Sequence, residues 1–243
     1  MRHERVRGAW IRGEVRQLPT ISAIHEDREQ ALKALNVSRE TLARLELYVE
    51  LLAKWQKTIN LVGPATVPVL WTRHILDSAQ LADLFPNYRC WVDLGTGAGF
   101  PGLVIALLAT GGADVEVHLV ESDQRKASFL REAIRLTGAK AILHGDRAER
   151  IVPKLAERAD AVTARALAPL KRLFILAEPL LTTGADGIFP KGQALESELD
   201  EAASLFDFKA RLLQSRTDEH GRIAVISDLR RRATSQDDLR TGR

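Results

Sequence analysis

The chain has 243 residues, of which 45% are hydrophobic and 28% are charged, a balance typical of a soluble globular protein with one large domain. No apolar run approaches the roughly 18 residues of a membrane-spanning helix, and the basic N-terminus lacks the apolar core of a secretory signal. Cys90 is the single cysteine, which excludes an intrachain disulfide and a cysteine-rich metal site. These features favour a reducing cytoplasm, and we predict no metal site and no membrane partner.

The net charge of +3 is concentrated at the two ends of the chain. Residues 1–16 contain five arginines and two glutamates, and residues 229–243 contain five arginines and two aspartates. Such ends can be solvated tails, or they can help to hold a polyanion such as RNA, and charge alone does not choose between these alternatives. We expect a basic, partly disordered N-terminal extension over residues 1–37 and a basic C-terminal tail over residues 229–243.

Residues 38–88 are expected to form a helical N-terminal segment. Ser38 is suited to cap a helix, with Glu40 in the first turn. Apolar residues then recur at near-helical spacing, which predicts an amphipathic helix to about residue 57. Gly63 and Pro64 interrupt the chain, and a second helix is expected from about residue 67 to residue 85.

From residue 89 onward, strands alternate with helices. Apolar runs predict strands at 90–94, 115–121, 140–144, 160–164, 185–189, 210–214 and 222–226. Helices are predicted between the first six strands at 101–110, 124–137, 147–157, 169–181 and 193–206. This alternation predicts an α/β fold with a mostly parallel sheet, and a polar link between the last two strands suits an antiparallel hairpin. The fold class expected for residues 89–228 is the Rossmann-like, seven-stranded class I S-adenosylmethionine-dependent methyltransferase.

The stretch DLGTGAGFPG, residues 93–102, follows the first predicted strand. Gly95, Gly97 and Gly99 would let the backbone approach a ligand closely, and Gly97, Gly99 and Gly102 match the G-x-G-x-x-G pattern of a dinucleotide loop. Asp93, however, would attract the sulfonium and ammonium groups of S-adenosylmethionine and repel a pyrophosphate. The alternatives are that Asp93 only caps the turn, or that the loop binds NAD or FAD.

Polar residues at the ends of three later strands would face the same crevice. Glu121 closes the second strand and could accept hydrogen bonds from the ribose hydroxyls of either cofactor. Asp146 would cap the next helix, whose early N–H groups at Ala148 and Glu149 could bond an adenine edge. Arg165, at the end of the fourth strand, indicates either a ligand contact or a surface salt bridge.

Beyond these patterns, the chain resembles the RsmG (GidB) family over about residues 40–226. The resemblance rests on INLVG (59–63), WTRHILDS (71–78), VDLGTGAGFPGL (92–103), VESDQRKASFLRE (120–132), DRAE (146–149), ARALAPL (164–170) and PKG (190–192). Members of this family are bacterial enzymes that methylate guanine N7 in small-subunit (16S) ribosomal RNA. The resemblance therefore implies an S-adenosylmethionine-dependent rRNA (guanine-N7)-methyltransferase.

The resemblance implies cofactor contacts at five positions, namely Gly95, Phe100, Ala148, Glu149 and Arg165. Phe100 stands where other members often have leucine, and both are apolar, so cofactor packing should be preserved. The partner implied is 16S ribosomal RNA or the small ribosomal subunit, and we expect a cytoplasmic monomer.

Three residues of the matching motifs are candidates for RNA contact. They are Arg73 and His74 in RHILDS and Lys191 in PKG. His74 could equally be a buried, hydrogen-bonded residue, and Lys191 could be a plain surface lysine. Trp71, next to Arg73, is a candidate platform on which a base could stack.

Guanine N7 carries a lone pair and no proton, so methyl transfer to it is an in-line displacement without a general base. The sequence shows no Cys/His pair and no Ser/His/Asp arrangement, and we assign no catalytic residue. Alignment of the reactants would then dominate catalysis. The alternatives are a methyltransferase acting on a small molecule or another RNA, an RNA-binding module with an inactive cofactor fold, and an NAD-dependent oxidoreductase.

Overall fold

The structure, a computed structural model, describes residues 21–109 and 114–233. An N-terminal helical layer comes first. It consists of α1 (Ile21–Leu32), α2 (Arg39–Trp55), a 3₁₀ helix (Pro64–Val69), a π-helix (Trp71–Leu76) and α3 (Asp77–Leu84). The predicted cap of α2 is confirmed, because Ser38 Oγ accepts a hydrogen bond from the Thr41 amide at 3.1 Å.

Helix α1 lies in a segment for which the sequence predicted no regular structure. Its Asp27 carboxylate is buried and accepts hydrogen bonds from the backbone amides of Trp71 and Thr72. This contact ties α1 to the π-helix. The first 20 residues, with their five arginines, lie outside the described residues.

The central sheet has seven strands in the order β3-β2-β1-β4-β5-β7-β6. They are β1 (Cys90–Leu94), β2 (Glu116–Val120), β3 (Ala141–His144), β4 (Ala161–Thr163), β5 (Asp186–Lys191), β6 (Phe206–Gln214) and β7 (Arg222–Arg231). The first five are parallel, and β7 runs antiparallel to both β5 and β6. The predicted class I topology and terminal hairpin are confirmed.

Five helices cover the sheet on its two faces. They are α4 (Gly102–Ala109), α5 (Gln124–Thr137), α6 (Ala148–Leu155), α7 (Leu170–Leu181) and α8 (Leu195–Ala203). One core joins Trp91 and Leu103 to the helical layer, and a second core joins Val92 to Phe174 on the opposite face. Strand β1 is buried at every position, which explains its continuous apolar run. None of the described helices is long and apolar enough to span a membrane.

The last two strands are longer than predicted. Strand β6 begins at Phe206, four residues early, and β7 continues to Arg231, inside the predicted basic tail. Arg231 stacks over the Phe206 ring at 5.2 Å and pairs with Glu178. Part of the positive charge assigned to a tail therefore belongs to the sheet, while residues 234–243 lie outside the described part of the chain.

Candidate active site

The glycine loop between β1 and α4 forms the floor of the site. Gly95, Gly97 and Gly99 have φ values of 60°, 61° and 101°, a region that glycine adopts without steric cost. A Cβ on Gly95 would lie 2.5 Å from Leu167, whereas a Cβ on Gly97 would meet nothing nearer than a backbone oxygen at 3.8 Å. Gly97 thus borders open space. The hydroxyl of Tyr48, from α2, donates to the carbonyl of Ala98 and fixes the loop from the helical layer.

Asp93 caps this loop from beneath. It is fully buried, and its Oδ2 accepts hydrogen bonds from the Thr96 hydroxyl at 2.5 Å and the Gly102 amide at 2.9 Å. Burial raises the pKa of Asp93 to about 7, against the effect of those two hydrogen bonds. The expected attraction of Asp93 for a cationic cofactor is not a direct contact, because the carboxylate points into the loop and does not line the cleft. The alternative of a turn cap is the one observed.

Glu121, at the end of β2, also holds the loop. Its Oε2 accepts from the Gly97 amide at 2.9 Å and its Oε1 from the Asp123 amide at 2.7 Å. The side chain is buried beside the glycine loop, at the carboxyl edge of the sheet, as the sequence predicted. Each carboxylate oxygen has a second lone pair with which it could accept a hydrogen bond from a ribose hydroxyl.

Arg165 connects the carboxyl end of β4 to the helical layer. Its guanidinium lies over the Phe100 ring at 5.1 Å, and Nη1 donates to Asp77 Oδ2 at 3.2 Å and to the carbonyl of Arg73 at 3.0 Å. Nη2 contacts His74 Nδ1 at 2.5 Å. Only 17% of the Arg165 side chain is exposed. The alternative of a surface salt bridge is therefore wrong, since this ion pair lies inside the crevice.

His74 is a buried, neutral imidazole. Because a guanidinium can only donate, Nδ1 of His74 must accept from Arg165, and Nε2–H then donates to Thr66 Oγ1 at 2.8 Å. Burial, together with the Arg165 and Arg73 cations, lowers the pKa of His74 to about 3. The ring stacks on Phe100 with a centroid distance of 4.8 Å. The structure supports the buried alternative for His74 over direct RNA contact.

A cleft of about 710 Å³ lies at the carboxyl edge of the sheet beside these groups. It brings together seven of the predicted site residues, namely Gly95, Gly97, Phe100, Arg165, Arg73, His74 and Lys191. The remaining four, Gly99, Glu121, Ala148 and Glu149, are not part of its lining. Ala148 and Glu149 begin α6, but the residue that caps this helix is Arg147 and not Asp146. Asp146 instead accepts from the Arg147 amide and from Arg150.

The burial of Lys191 and Trp71 contradicts two other expectations. Lys191 is 11% exposed, and its Nζ donates to Glu198 Oε2 at 2.7 Å and to the carbonyl of Ala168 at 2.8 Å, so it is not a plain surface lysine. Trp71 is buried, with Arg28 over its ring at 5.9 Å. A base cannot stack on Trp71, because the ring belongs to the core of the helical layer.

Sequence reasoning missed several polar residues of the cleft, among them Asp77, Lys126 and Asp218. Asp77, in the WTRHILDS motif, pairs with Arg165, and Lys126 lies near the glycine loop. Asp218, in the link between β6 and β7, pairs with Arg73 at 2.8 Å. The position of Asp77 in a matching motif could have indicated its role. No sequence pattern marks Asp218, which comes close to Arg73 only in the folded chain.

A second polar cluster lies away from the cleft. Cys90, Glu116 and His118 bring three potential metal-ligand atoms within 4.8 Å of one another. Glu116 Oε1 already bonds His118 Nε2 at 2.7 Å and Arg158 at 2.6 Å, and His118 Nδ1 bonds His144 Nε2 at 2.9 Å. These hydrogen bonds account for the arrangement without an ion.

The sheet order and the cleft beside the glycine loop define a class I S-adenosylmethionine-dependent methyltransferase. A family model described as rRNA small subunit methyltransferase G (GidB) matches residues 41–222. The chain belongs to this family, and the resemblance drawn from its sequence motifs is confirmed.

Similar proteins agree with this assignment. Ribosomal RNA small subunit methyltransferase G of Bradyrhizobium sp. strain BTAi1 is 50% identical over 208 residues, covering 86% of this chain and 94% of the relative. The protein of the same name from Methylobacterium sp. strain 4-46 is 49% identical over 207 residues, covering 85% of this chain and 97% of the relative. Among solved structures, a putative O-methyltransferase from Klebsiella pneumoniae has a TM-score of 0.54 at 14% identity, covering 83% of this chain and 95% of that one. This likeness shows the fold.

Proposed function

We propose that the protein transfers the methyl group of S-adenosylmethionine to N7 of a guanine in 16S ribosomal RNA. Family membership over residues 41–222 supports the cofactor and the RNA substrate. In this assignment the glycine loop at Gly95, Gly97 and Gly99 accommodates the methionine part of the donor, and Glu121 accepts from its ribose. The N–H groups of Ala148 and Glu149 would bond the adenine edge.

Arg165 and Phe100 are proposed to hold the methionine end of the donor. The guanidinium of Arg165 suits the donor's carboxylate, because planar N–H donors match carboxylate geometry. Phe100 supplies an apolar wall beneath the guanidinium and packs against Tyr48 at 5.5 Å. Asp77 keeps the positive charge of Arg165 compensated before the cofactor arrives.

The observation that carries the N7 assignment is the state of His74. It is the one imidazole among the described residues lining the cleft, and its only free lone pair is used to accept from Arg165. Each of the three carboxylates that line the described cleft is likewise engaged by a cation, Asp77 by Arg165, Glu198 by Lys191 and Asp218 by Arg73. A site without an available base suits N7, which loses no proton, better than an amine or a hydroxyl, which must.

Of the three predicted RNA contacts, we propose that Arg73 fills this role. Its side chain is 48% exposed at the cleft and, among the described residues, is held only by the half-exposed Asp218, whereas His74 and Lys191 are largely buried and held by neighbouring residues. We further propose that the protein acts as a monomer in the cytoplasm, where its ribosomal substrate is found. Size-exclusion chromatography with light scattering tests the monomer.

The test is a methylation assay with S-adenosylmethionine and small ribosomal subunits lacking the modification. We expect one guanine of 16S RNA to become susceptible to the strand cleavage that is specific for 7-methylguanine. Naked 16S RNA, transfer RNA and free guanosine serve as comparison substrates. Methylation of transfer RNA or free guanosine alone would contradict the proposed substrate, and labelling at an exocyclic amine would contradict N7.

A further inference from the structure

An ion pair joins two residues of the cleft lining, Arg73 and Asp218. Arg73, on the π-helix, donates from Nη1 to Asp218 Oδ2 at 2.8 Å, and Asp218 belongs to the segment between β6 and β7. The carbonyl of the same Arg73 accepts from Arg165. Arg73 therefore links Arg165, in the proposed methyl-donor site, to Asp218, and all three residues line the cleft.

Asp218 differs from the two other carboxylates that line the described cleft. Both carboxylate oxygens of Asp77 accept hydrogen bonds from buried or half-buried partners. Oδ1 accepts from Gln80 and Thr217, and Oδ2 accepts from Arg165. Glu198 Oε2 accepts from Lys191 and from the Leu170 amide. Asp218 Oδ2, by contrast, is held by an arginine that is 48% exposed and can move into solvent. Asp218 is thus the lining carboxylate that can exchange its partner.

The segment around Asp218 is held in place, which fixes the direction of its carboxylate. Its Oδ1 accepts from the His220 amide at 2.9 Å, and its carbonyl accepts from the Gly221 amide at 3.0 Å. Thr217 Oγ1 donates to Asp77 at 2.6 Å and anchors the segment to the start of α3. The His220 amide and the Arg73 guanidinium hold the pKa of Asp218 below its usual range, so the group is an ionised acceptor at neutral pH.

We propose that Asp218 reads the target base by accepting hydrogen bonds from N1–H and the N2 amino group of guanine, while Arg73 leaves Asp218 and contacts an RNA phosphate. This inference rests on the function proposed above. In guanine, N1 and N2 lie on the edge away from N7, so the proposal places Asp218 at one edge of the base and the methyl donor at the other. Enzymes that act on an extruded base read this edge with hydrogen bonds.

The same pairing would favour the reaction itself. When N7 attacks the methyl carbon, the carbon–sulfur bond breaks, the electron pair stays on sulfur, and the base acquires the positive charge that the sulfonium loses. A carboxylate fixed at the opposite edge of the ring is attracted to that charge as it develops. Adenine presents an acceptor at N1 and no amino group at C2, so Asp218 would also repel the wrong purine.

The test replaces the target guanosine of 16S RNA by inosine, which keeps N7 and N1–H but lacks the N2 amino group. We expect the wild-type kcat/KM to fall about tenfold or more on inosine, because a carboxylate oxygen loses its donor. For Asp218→Asn we expect about a tenfold to hundredfold loss on guanosine and little further loss on inosine. Glu219→Gln, which changes a neighbouring carboxylate outside the cleft lining, should behave as wild type on both RNAs.

Arg73→Ala provides a second, independent variant. It should weaken RNA binding and reduce the slope of log affinity against log salt concentration by about one, while keeping the preference for guanosine over inosine. Equal wild-type rates on guanosine and inosine would overturn the proposal, as would an Asp218→Asn variant that keeps the full preference. Failure of the wild-type protein to methylate any ribosomal RNA would instead overturn the proposed function, and this inference with it.

Discussion

Arg165 donates from Nη2 to Nδ1 of His74 at 2.5 Å, and this hydrogen bond joins the end of β4 to the π-helix. π-Helical turns are rare and are frequently found at functional sites. Here the turn presents both the His74 ring and the Arg73 carbonyl to one guanidinium. His74 is therefore a positioning residue for Arg165, the cation that we assign to the cofactor carboxylate.

Replacing His74 tests this relationship. In His74→Leu, a largely buried N–H of Arg165 loses its acceptor, which costs roughly 1–3 kcal/mol, and we expect KM for S-adenosylmethionine to rise about tenfold or more. In His74→Asn, the amide oxygen can replace Nδ1, and we expect a smaller rise. Steady-state kinetics at saturating RNA measure both. Equal KM values for the wild type and His74→Leu would show that Arg165 holds its position without His74.

Gly97→Asp is expected to abolish cofactor binding, with a backbone strain from its positive φ that the control below shares. A Cβ at Gly97 meets no protein atom closer than 3.8 Å, yet the residue lines the cleft, so the new carboxylate would enter the space of the ligand. Gly138→Asp is a matched control, because its φ of 63° is nearly the same and a Cβ there meets nothing within 4 Å. Calorimetric titration with S-adenosylhomocysteine should show binding to the control alone. Retained binding by Gly97→Asp would contradict the loop assignment.

Asp93 is expected to make the free energy of unfolding depend on pH between its ordinary pKa of 3.8 and its folded pKa of about 7. Its folded pKa of about 7 lies above the ordinary value of 3.8, so the folded state binds the proton more tightly than the unfolded state. The contribution of Asp93 to stability is fully present below about pH 4 and is lost as pH rises to about 7, by at most roughly 1.4 kcal/mol per pH unit. Urea unfolding of the wild type and Asp93→Asn from pH 4.5 to 7.5 measures this. Stability curves that run parallel would show that Asp93 does not titrate in this window.

Lys191 is expected to act in stability more than in RNA binding. Lys191→Met leaves Glu198 without its cation in a half-buried site, and we expect a loss of roughly 3 kcal/mol in the free energy of unfolding. The salt dependence of RNA affinity should stay unchanged, because no phosphate contact is removed. Lys126→Met, in the same cleft, should reduce that salt slope by about one while preserving stability. A smaller salt slope in Lys191→Met than in the wild type would instead indicate that Lys191 contacts an RNA phosphate.

The strands that could be predicted closely are short apolar runs, of which β1 and β4 are buried at every position and β3 lies at the sheet edge. Residues 90–94, 141–144 and 161–163 are short apolar runs between helices, and period and polarity suffice to mark them. The start of β6 was missed because it alternates Phe206, Asp207, Phe208 and Lys209 at the sheet edge, where one side of the strand is solvated. A single helix was predicted over 67–85, but the chain there forms a 3₁₀ helix that contains Pro68, then a π-helix and then α3.

The location of the site could be predicted from the sequence, but the roles of several of its residues could not. Strand ends and glycine spacing indicate where a ligand lies, because parallel strands bring their carboxyl ends to one edge. The direction of a side chain depends on neighbours far away in sequence. Asp93 turns toward Thr96 and Gly102, and Lys191 toward Glu198, which no pattern at either position reveals. The pairing of Arg73 with Asp218 joins residues 145 positions apart.

The hydrogen bond from the Tyr48 hydroxyl to the Ala98 carbonyl has a consequence for any attempt to isolate a catalytic fragment. Tyr48 is fully buried, contacts Phe100 and Phe129, and lies 3.0 Å from where a Cβ on Gly99 would stand. A truncation that starts at the first strand would strip this support from the loop and uncover an aromatic surface. The smallest active unit therefore begins before the sheet, and substitutions of Tyr48 on α2 would appear as defects in cofactor use, transmitted through Ala98 and Phe100.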